Sequence, residues 1–185
     1  MAPVTTDATL TLNPTTTFAD CPPADVLCIP GGFGVDDAMH DSDLMAFVKR
    51  EGERAKYVTS VCTGAFILGA AGLLTGRQAT THWAYHAALA DVGAIPVKAR
   101  VVRDGNVFTG GGVTAGLDFA FTLAAEIAGP DVAKAIQLGL EYDPAPPFGC
   151  GAPDKADKAS LAAMTARYAR RFEDFRGRLA QALNR

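Results

Sequence analysis

One cysteine stands at a point in the sequence where a side chain can act as a reagent. Cys62 follows a β-branched run at residues 58–61 and precedes a short apolar run, residues 63–71, that ends at Gly72. The first run predicts a strand, and the second predicts a buried helix closed by a C-terminal glycine. The tight turn between them, here called the elbow (residues 60–64), would strain the backbone of Cys62 and expose its thiol. We expect a nucleophile whose thiolate is favoured by the first helical turn; a buried small hydrophobe is the alternative.

A second segment predicts a partner for this thiol. Residues 26–29 are continuously apolar, as in a parallel strand covered on both faces, and Pro30 ends the strand. Gly31 and Gly32 leave backbone amides free to approach a ligand. Because the carboxyl ends of neighbouring parallel strands share one crevice, these amides are expected to form an anion hole beside Cys62. An ordinary strand-to-helix turn is the alternative.

The composition predicts one globular α/β domain spanning residues 1–185. Apolar residues make up 49% of the chain and charged residues 20%, and the net charge of −3 disfavours nucleic acid as a partner. The sequence shows neither a secretion signal nor an apolar run of membrane-spanning length, so we expect a cytoplasmic protein without membrane contact. The four cysteines lack paired spacing, which predicts neither disulfides nor a metal or other cofactor.

Alternating strand and helix patterns predict a largely parallel sheet flanked by helices. The last helix carries an apolar stripe from Leu161 to Leu183, which suits either the core of the chain itself or a dimer seam. The other expected elements are a strand and turn at 9–18, a surface helix at 36–56, strands at 95–102 and 107–109 joined by a turn at 104–106, and a core helix at 117–128.

Three motifs together resemble the DJ-1/PfpI superfamily, which has the class I glutamine amidotransferase-like fold. They are the elbow Ser-Val-Cys-Thr-Gly, the Ala-Thr-Thr-His-Trp run at residues 79–83, and the Gly-Val-Thr-Ala-Gly-Leu-Asp run at residues 112–118. The resemblance covers essentially the whole chain and implies a flavodoxin-like, doubly wound sheet. The triple glycine at 110–112, residues 18–23 and the tail at 140–148 are most similar to the isocyanide hydratases within that superfamily.

This resemblance implies hydration of an isocyanide to an N-substituted formamide without metal or organic cofactor. Cys62 would add to the terminal carbon to form a thioimidate, and water would then release the formamide. Thr63 is the second expected catalytic residue, since its amide and hydroxyl lie where charge develops. Gly31, Gly32, His82 and Trp83 are the expected substrate-binding residues. The resemblance further implies a homodimer.

The amino-terminal region departs from the superfamily pattern. Members begin with a strand and a helix that deliver an acidic side chain beside the cysteine, whereas only 24 residues precede the strand at Asp25. We therefore expect a domain shortened at its amino end and catalytically impaired. Asp20, Asp25, Asp36 and Glu141 are available carboxylates, and solvated surface charge is the expectation for each.

The histidines give weaker signals. His82 is expected to shape the pocket wall or a subunit contact, with a direct catalytic role as the alternative. The protease-like branch of the superfamily has a histidine directly after the cysteine, where this chain has Thr63. His86 lies one helical turn after His82, which is a weak metal signal, and His40 is expected on a helix surface.

Two other classes of function remain open from the sequence. The Thr-His-Trp and Thr-Ala-Gly motifs also resemble the sensing domains of AraC-type transcription regulators, although only about 33 residues follow Pro153. A redox-sensing or chaperone-like protein, in which Cys62 is oxidised, is the third possibility.

Overall fold

The fold is described from a computed structural model, which covers residues 2–6 and 9–184. Its strands are β1 (Val4–Thr5), β2 (Thr11–Leu12), β3 (Val26–Ile29), β4 (Tyr57–Val61), β5 (Gln78–Ala79), β6 (Ile95–Pro96), β7 (Val101–Asp104) and β8 (Val107–Gly110). Its α-helices are α1 (Val35–Ala38), α2 (Ser42–Arg54), α3 (Gly64–Ala70), α4 (Ala115–Ala128), α5 (Pro130–Gly139) and α6 (Lys158–Leu183), with a 3₁₀ helix at Trp83–Val92.

A four-stranded sheet forms the centre of the fold, in the order β3-β4-β8-β7. The first three strands are mutually parallel, and β7 joins antiparallel to β8 through a turn in which Gly105 has φ +62°. Ile29 lies beside Ser60, which lies beside Thr109, so three strands end together at one edge of the sheet. This confirms the expected α/β fold and brings the elbow and the loop after β3 to the same edge.

Two of the predicted elements are divided in the structure. The surface helix expected at 36–56 consists of α1 and α2, because the Asp41 side chain accepts hydrogen bonds from the amides of Asp43 and Leu44 and starts a new helix. The strand expected at 95–102 is interrupted after Pro96. Its first part pairs with β5 in a separate sheet, and its second part is β7.

The main core lies between the sheet and helices α2, α3 and α6. Phe66 of α3 is fully buried, and its ring centroid lies 4.7 Å from that of Phe175 on α6. Phe175 and Leu179 are each only 1% exposed, so the middle of the α6 stripe closes the core of this chain. Met164 and Leu183, nearer its ends, stay 38% and 39% exposed.

The helix expected at 117–128 is present as α4, but the expectation that it lies in the core is wrong. On α4 only Ala115 and Phe119 are buried, whereas Leu117 and Ile127 are about half exposed. The apolar density of this segment indicated burial, but only one narrow face of α4 meets the sheet. Among the described residues, no helix is both long and apolar enough to span a membrane.

Candidate active site

The elbow has the strained geometry that its sequence predicts. Cys62 has φ +58°, a left-handed conformation that non-glycine residues rarely adopt. Its amide donates to the carbonyl oxygens of Gly110 and Gly111 at 3.0 and 2.8 Å, and its carbonyl accepts from the Thr81 hydroxyl at 2.7 Å. These hydrogen bonds to the end of β8 and to the segment after β5 offset the strain. Two segments of the chain therefore fix the position of Cys62.

The loop after β3, here called the glycine loop (residues 30–34), packs directly on the elbow. A Cβ atom at Gly31 would lie 2.7 Å from both Cys62 Cβ and the Thr63 amide nitrogen, so only glycine fits there. The Gly32 amide donates to Thr63 Oγ1 at 3.1 Å, and the Thr63 hydroxyl lies 3.2 Å from the Gly32 carbonyl oxygen. The expected proximity of Gly31, Gly32, Cys62 and Thr63 is confirmed. The Gly32 amide is not a free anion-hole donor, because it is bonded to Thr63.

The electrostatics of the Cys62 thiol differ from the sequence expectation. Burial raises the pKa of Cys62 above its ordinary value, while hydrogen bonds from the amide and hydroxyl of Thr63 lower it in part. The expected acidification by the helix is not the dominant effect, since α3 has only seven residues and desolvation outweighs the Thr63 donors.

Cys62 and Thr63 line a cavity of about 360 Å³ at the carboxyl edge of the sheet. Most of its wall is apolar or aromatic. Besides the elbow, the wall comes from the glycine loop, the 3₁₀ helix and α6; the lining residues beyond the elbow and the two loop glycines include Phe33, Asp36, His82, Tyr85, Val113, Tyr168 and Arg171.

His82 lies in the cavity wall, and the structure indicates a neutral ring. Its Nδ1 accepts a hydrogen bond from the Ala84 amide at 3.3 Å, and burial lowers the pKa of His82 below its ordinary value. Its ring packs among aromatic side chains, with the Tyr168 centroid 5.3 Å away. Within the described part of the chain, the cavity lining includes His82 but not Trp83, whose ring lies 5.6 Å from that of Tyr168. The substrate-binding role of Trp83 stays a prediction.

Asp36 is the carboxylate that sequence reasoning placed wrongly. It lines the cavity with its side chain 19% exposed, and desolvation raises its pKa even though Arg171 and Arg178 oppose the effect. Asp25, by contrast, forms an exposed ion pair with Lys56 at 2.8 Å, as expected of a surface charge. No sequence motif marks Asp36, because α1 reaches the cavity only through the fold.

Sequence reasoning also missed the α6 wall, the part of the cavity lining that α6 provides. Tyr168 and Arg171 are more than 100 residues from Cys62 in the chain, and both line the cavity. Their spacing of three places them on one helical face, adjoining the stripe that contains Phe172 and Phe175. That periodicity indicated a buried face, but it gave no sign that the face ends at a cavity. In the described residues no group of three or more histidine, cysteine or carboxylate side chains is arranged to hold a metal ion.

Comparisons with known proteins agree with this geometry. The family model described as the DJ-1/PfpI family matches residues 1–126. The isonitrile hydratase of Pseudomonas putida is 60% identical over 159 residues, which cover 86% of this chain and 70% of that protein. The crystal structure of a ThiJ/PfpI family protein from Pseudomonas syringae superposes with a TM-score of 0.93 at 48% identity, covering 96% of this chain and 74% of that one.

A more distant relative belongs to another functional class. The transcriptional regulator GbdR of Pseudomonas aeruginosa is 29% identical over 138 residues, which cover 72% of this chain but 37% of the regulator. The family model and the hydratase alignment each extend over more than half of the chain. On this evidence the chain belongs to the DJ-1/PfpI family.

Proposed function

We propose that this protein adds water to an isocyanide and releases an N-substituted formamide. The observation that carries the proposal is the strained Cys62, whose thiol lines an apolar cavity beside the two hydrogen-bond donors of Thr63. The 60% identity to an isonitrile hydratase supports the same reaction. We propose catalytic roles for Cys62 and Thr63, and a substrate-binding role for Gly31, Gly32 and His82.

In the first step the Cys62 thiol adds to the terminal carbon of the isocyanide. A carbon–sulfur bond forms and the S–H proton goes to the same carbon, which gives a thioimidate, R–N=CH–S–Cys. The amide and hydroxyl of Thr63 stabilise the negative charge that develops on sulfur during the transfer.

In the second step water adds to the thioimidate carbon. The oxygen bonds to carbon and one water proton goes to nitrogen, which gives a tetrahedral adduct, R–NH–CH(OH)–S–Cys. The carbon–sulfur bond then breaks, the sulfur takes the hydroxyl proton, and the formamide R–NH–CHO leaves with the thiol restored. The reaction consumes one isocyanide and one water, without oxidant or reductant.

The cavity wall favours an apolar substituent on the isocyanide. Phe33, Tyr85, Val113 and Tyr168 supply apolar or aromatic surface, and His82 is neutral. The charges of Asp36 and Arg171, 4.0 Å apart, offset one another. A cavity of about 360 Å³ is of the size that small-molecule sites have. We propose aryl and cycloalkyl isocyanides as the substrate class.

The test is turnover of an aryl isocyanide, followed by nuclear magnetic resonance of the formamide proton. Cys62→Ser should lower kcat by about 10³-fold or more, because a hydroxyl without a strong base is a poor nucleophile. Cys28→Ser, at an exposed strand cysteine, should retain the activity of the parent chain. No formamide from the parent chain, or undiminished turnover in Cys62→Ser, would refute the proposal.

Ligand sensing is the second candidate function, because the GbdR alignment covers 72% of this chain. Binding of the isocyanide with no formamide formed would favour it. Oxidation at Cys62 without turnover would instead favour the redox class.

We also propose a homodimer in the cytoplasm. The four cysteines are free thiols, as is usual in reducing compartments. The middle of the α6 stripe is used internally, so a dimer would use other apolar surface, such as Leu138 and Phe148, which are 83% and 76% exposed. Light scattering should give twice the chain mass of 19.3 kDa, and a single species at 19.3 kDa would reject the dimer.

A further inference from the structure

The glycine loop is fastened to the rest of the molecule at two places. On one side the Gly32 amide donates to Thr63 Oγ1 at 3.1 Å. On the other side Arg171 Nη2 donates to the Phe33 carbonyl at 3.3 Å, and the guanidinium carbon lies 3.9 Å from the centroid of the Phe33 ring. The Phe33 ring itself is 57% exposed, so its stacking on Arg171 is a main constraint on its position.

Arg171 meets several elements at once. Besides Phe33, it lies 4.0 Å from the Asp36 carboxylate of α1, and its charge opposes the burial that raises the pKa of Tyr85 in the 3₁₀ helix. A planar guanidinium with several donors suits this task, because it can stack on one group while it donates to others. Arg171 thereby joins α6 to the loop that packs on the elbow.

The Thr63 hydroxyl has one proton and two acceptors within reach, the Gly32 carbonyl oxygen and the Cys62 sulfur. As negative charge develops on sulfur, the charge-assisted hydrogen bond to sulfur becomes the stronger of the two. The Gly32 amide then occupies a lone pair of the same hydroxyl oxygen and polarises the hydroxyl group towards the sulfur. The position of the glycine loop therefore determines how well Thr63 can serve Cys62.

We propose that Arg171 is a positioning residue for the hydration. By holding Phe33 it keeps the Gly32 peptide hydrogen-bonded to the Thr63 hydroxyl, and so keeps that hydroxyl beside Cys62, where it can turn to donate to the sulfur as negative charge develops there. Arg171 acts through Thr63 and takes no part in bond making. The inference rests on the proposed function for its kinetic consequence, whereas its effect on the Cys62 thiol is independent of any substrate.

The experiment compares Arg171→Met with Arg176→Met, a matched change on the same helix. Arg176 donates to Asp91 at 2.8 and 2.9 Å and lies outside the cavity lining. The first measurement is the rate of Cys62 alkylation by iodoacetamide against pH. Arg171→Met should move this profile to higher pH, and Arg176→Met should leave it unchanged.

The second measurement is isocyanide turnover. Arg171→Met should lower kcat by about tenfold with a smaller change in KM, because a misplaced donor weakens the transition state more than it weakens binding. Arg171→Lys keeps the charge and one donor to Phe33, so it should recover part of the loss. A failure of the parent chain to turn over isocyanide would refute the proposed function, and the alkylation profile would still decide the role of Arg171.

The groups that could act on Cys62 electrostatically across the cavity are Asp36, His82, Tyr85, Tyr168 and Arg171 itself. A double-mutant cycle separates the loss of the Arg171 charge from the loss of positioning. If Arg171 works through Thr63, Arg171→Met should add no further shift in a Thr63→Val background. Additive shifts, or equal effects of the two methionine variants, would overturn the proposal.

A substitution in the glycine loop tests the same contact if Arg171→Met does not fold. Phe33→Leu removes the stacking surface at an exposed position and leaves α6 intact. It should shift the alkylation profile in the same direction as Arg171→Met, with the melting temperature nearly unchanged. An unshifted profile in a folded Phe33→Leu variant would also overturn the proposal.

Discussion

The two walls of the cavity are held by different kinds of interaction. On the elbow wall, backbone hydrogen bonds join Cys62 to Gly110 and Gly111, and glycine loop and elbow touch at backbone distance. On the α6 wall, side-chain contacts hold the helix in place. Phe175 packs against Phe66 and Tyr85, and surface arginines pair with carboxylates.

This difference predicts different tolerances to substitution. The elbow wall has no space for even one added carbon at Gly31, so a substitution that adds a single methyl group there should lower kcat. The α6 wall depends on buried aromatic area, so loss of volume there should act first on stability.

The largest expected effect on stability follows Phe175→Ala. The ring is 1% exposed and lies 4.7 Å from Phe66 and 5.0 Å from Tyr85, so its loss leaves a cavity costing about 3–5 kcal/mol of unfolding free energy. Leu10→Ala, at a 61% exposed side chain, should stay within about 0.5 kcal/mol of the parent. Urea unfolding measures both, and equal losses would mean that α6 is not a packed wall.

Gly31→Ala tests the elbow wall with a single methyl group. Its Cβ would lie 2.7 Å from Cys62 Cβ and from the Thr63 nitrogen, so the loop or the elbow must shift. We expect kcat to fall by about 10²-fold and stability by about 1–3 kcal/mol.

Gly34→Ala is the matched control in the same loop. A Cβ there meets no heavy atom within 4 Å of the described structure, and Gly34 has an ordinary helical φ of −75°. Its kcat should be unchanged and its stability equal or slightly higher. If Gly34→Ala impairs turnover as much as Gly31→Ala, the close packing of loop on elbow is not the cause.

The pH dependence of Cys62 alkylation tests the electrostatics of the elbow wall. Burial raises the pKa of Cys62 above its ordinary value, so the alkylation rate should rise through the alkaline range as thiolate forms. Thr63→Val removes a donor that favours the thiolate, so it should raise this pKa further and move the profile to higher pH. Thr122→Val, whose hydroxyl donates to the Asp118 carbonyl on α4, should leave the profile in place.

The smallest expected effect is that of Arg176→Ala on the α6 wall. Its pair with Asp91 is short and two-fold, but both side chains are substantially exposed, so its loss should cost less than about 1 kcal/mol. Added salt should reduce the difference further. A loss comparable with that of Phe175→Ala would show that ion pairs, rather than aromatic packing, hold α6.

Sequence reasoning was most successful where local pattern and backbone chemistry agree. The pattern of residues 58–71 correctly predicted β4, the strained Cys62 and α3. A strand-to-helix turn this short permits few backbone conformations, so the local sequence was sufficient. The apolar strand before Pro30 was also predicted correctly as β3. The resemblance to the DJ-1/PfpI superfamily agrees with the family match over residues 1–126.

Only the tertiary structure decided what completes the cavity and how its groups titrate. Asp36 was expected on the surface and Trp83 in the site, yet the lining contains the first and omits the second in the described residues. The apolar density of residues 117–128 misled because density does not report which face meets the sheet. Local sequence determined where Cys62 is strained. Contacts between distant segments of the chain bury the Cys62 thiol and bring α6, with Tyr168 and Arg171, to the cavity. These contacts determine the pKa and the surroundings of the thiol.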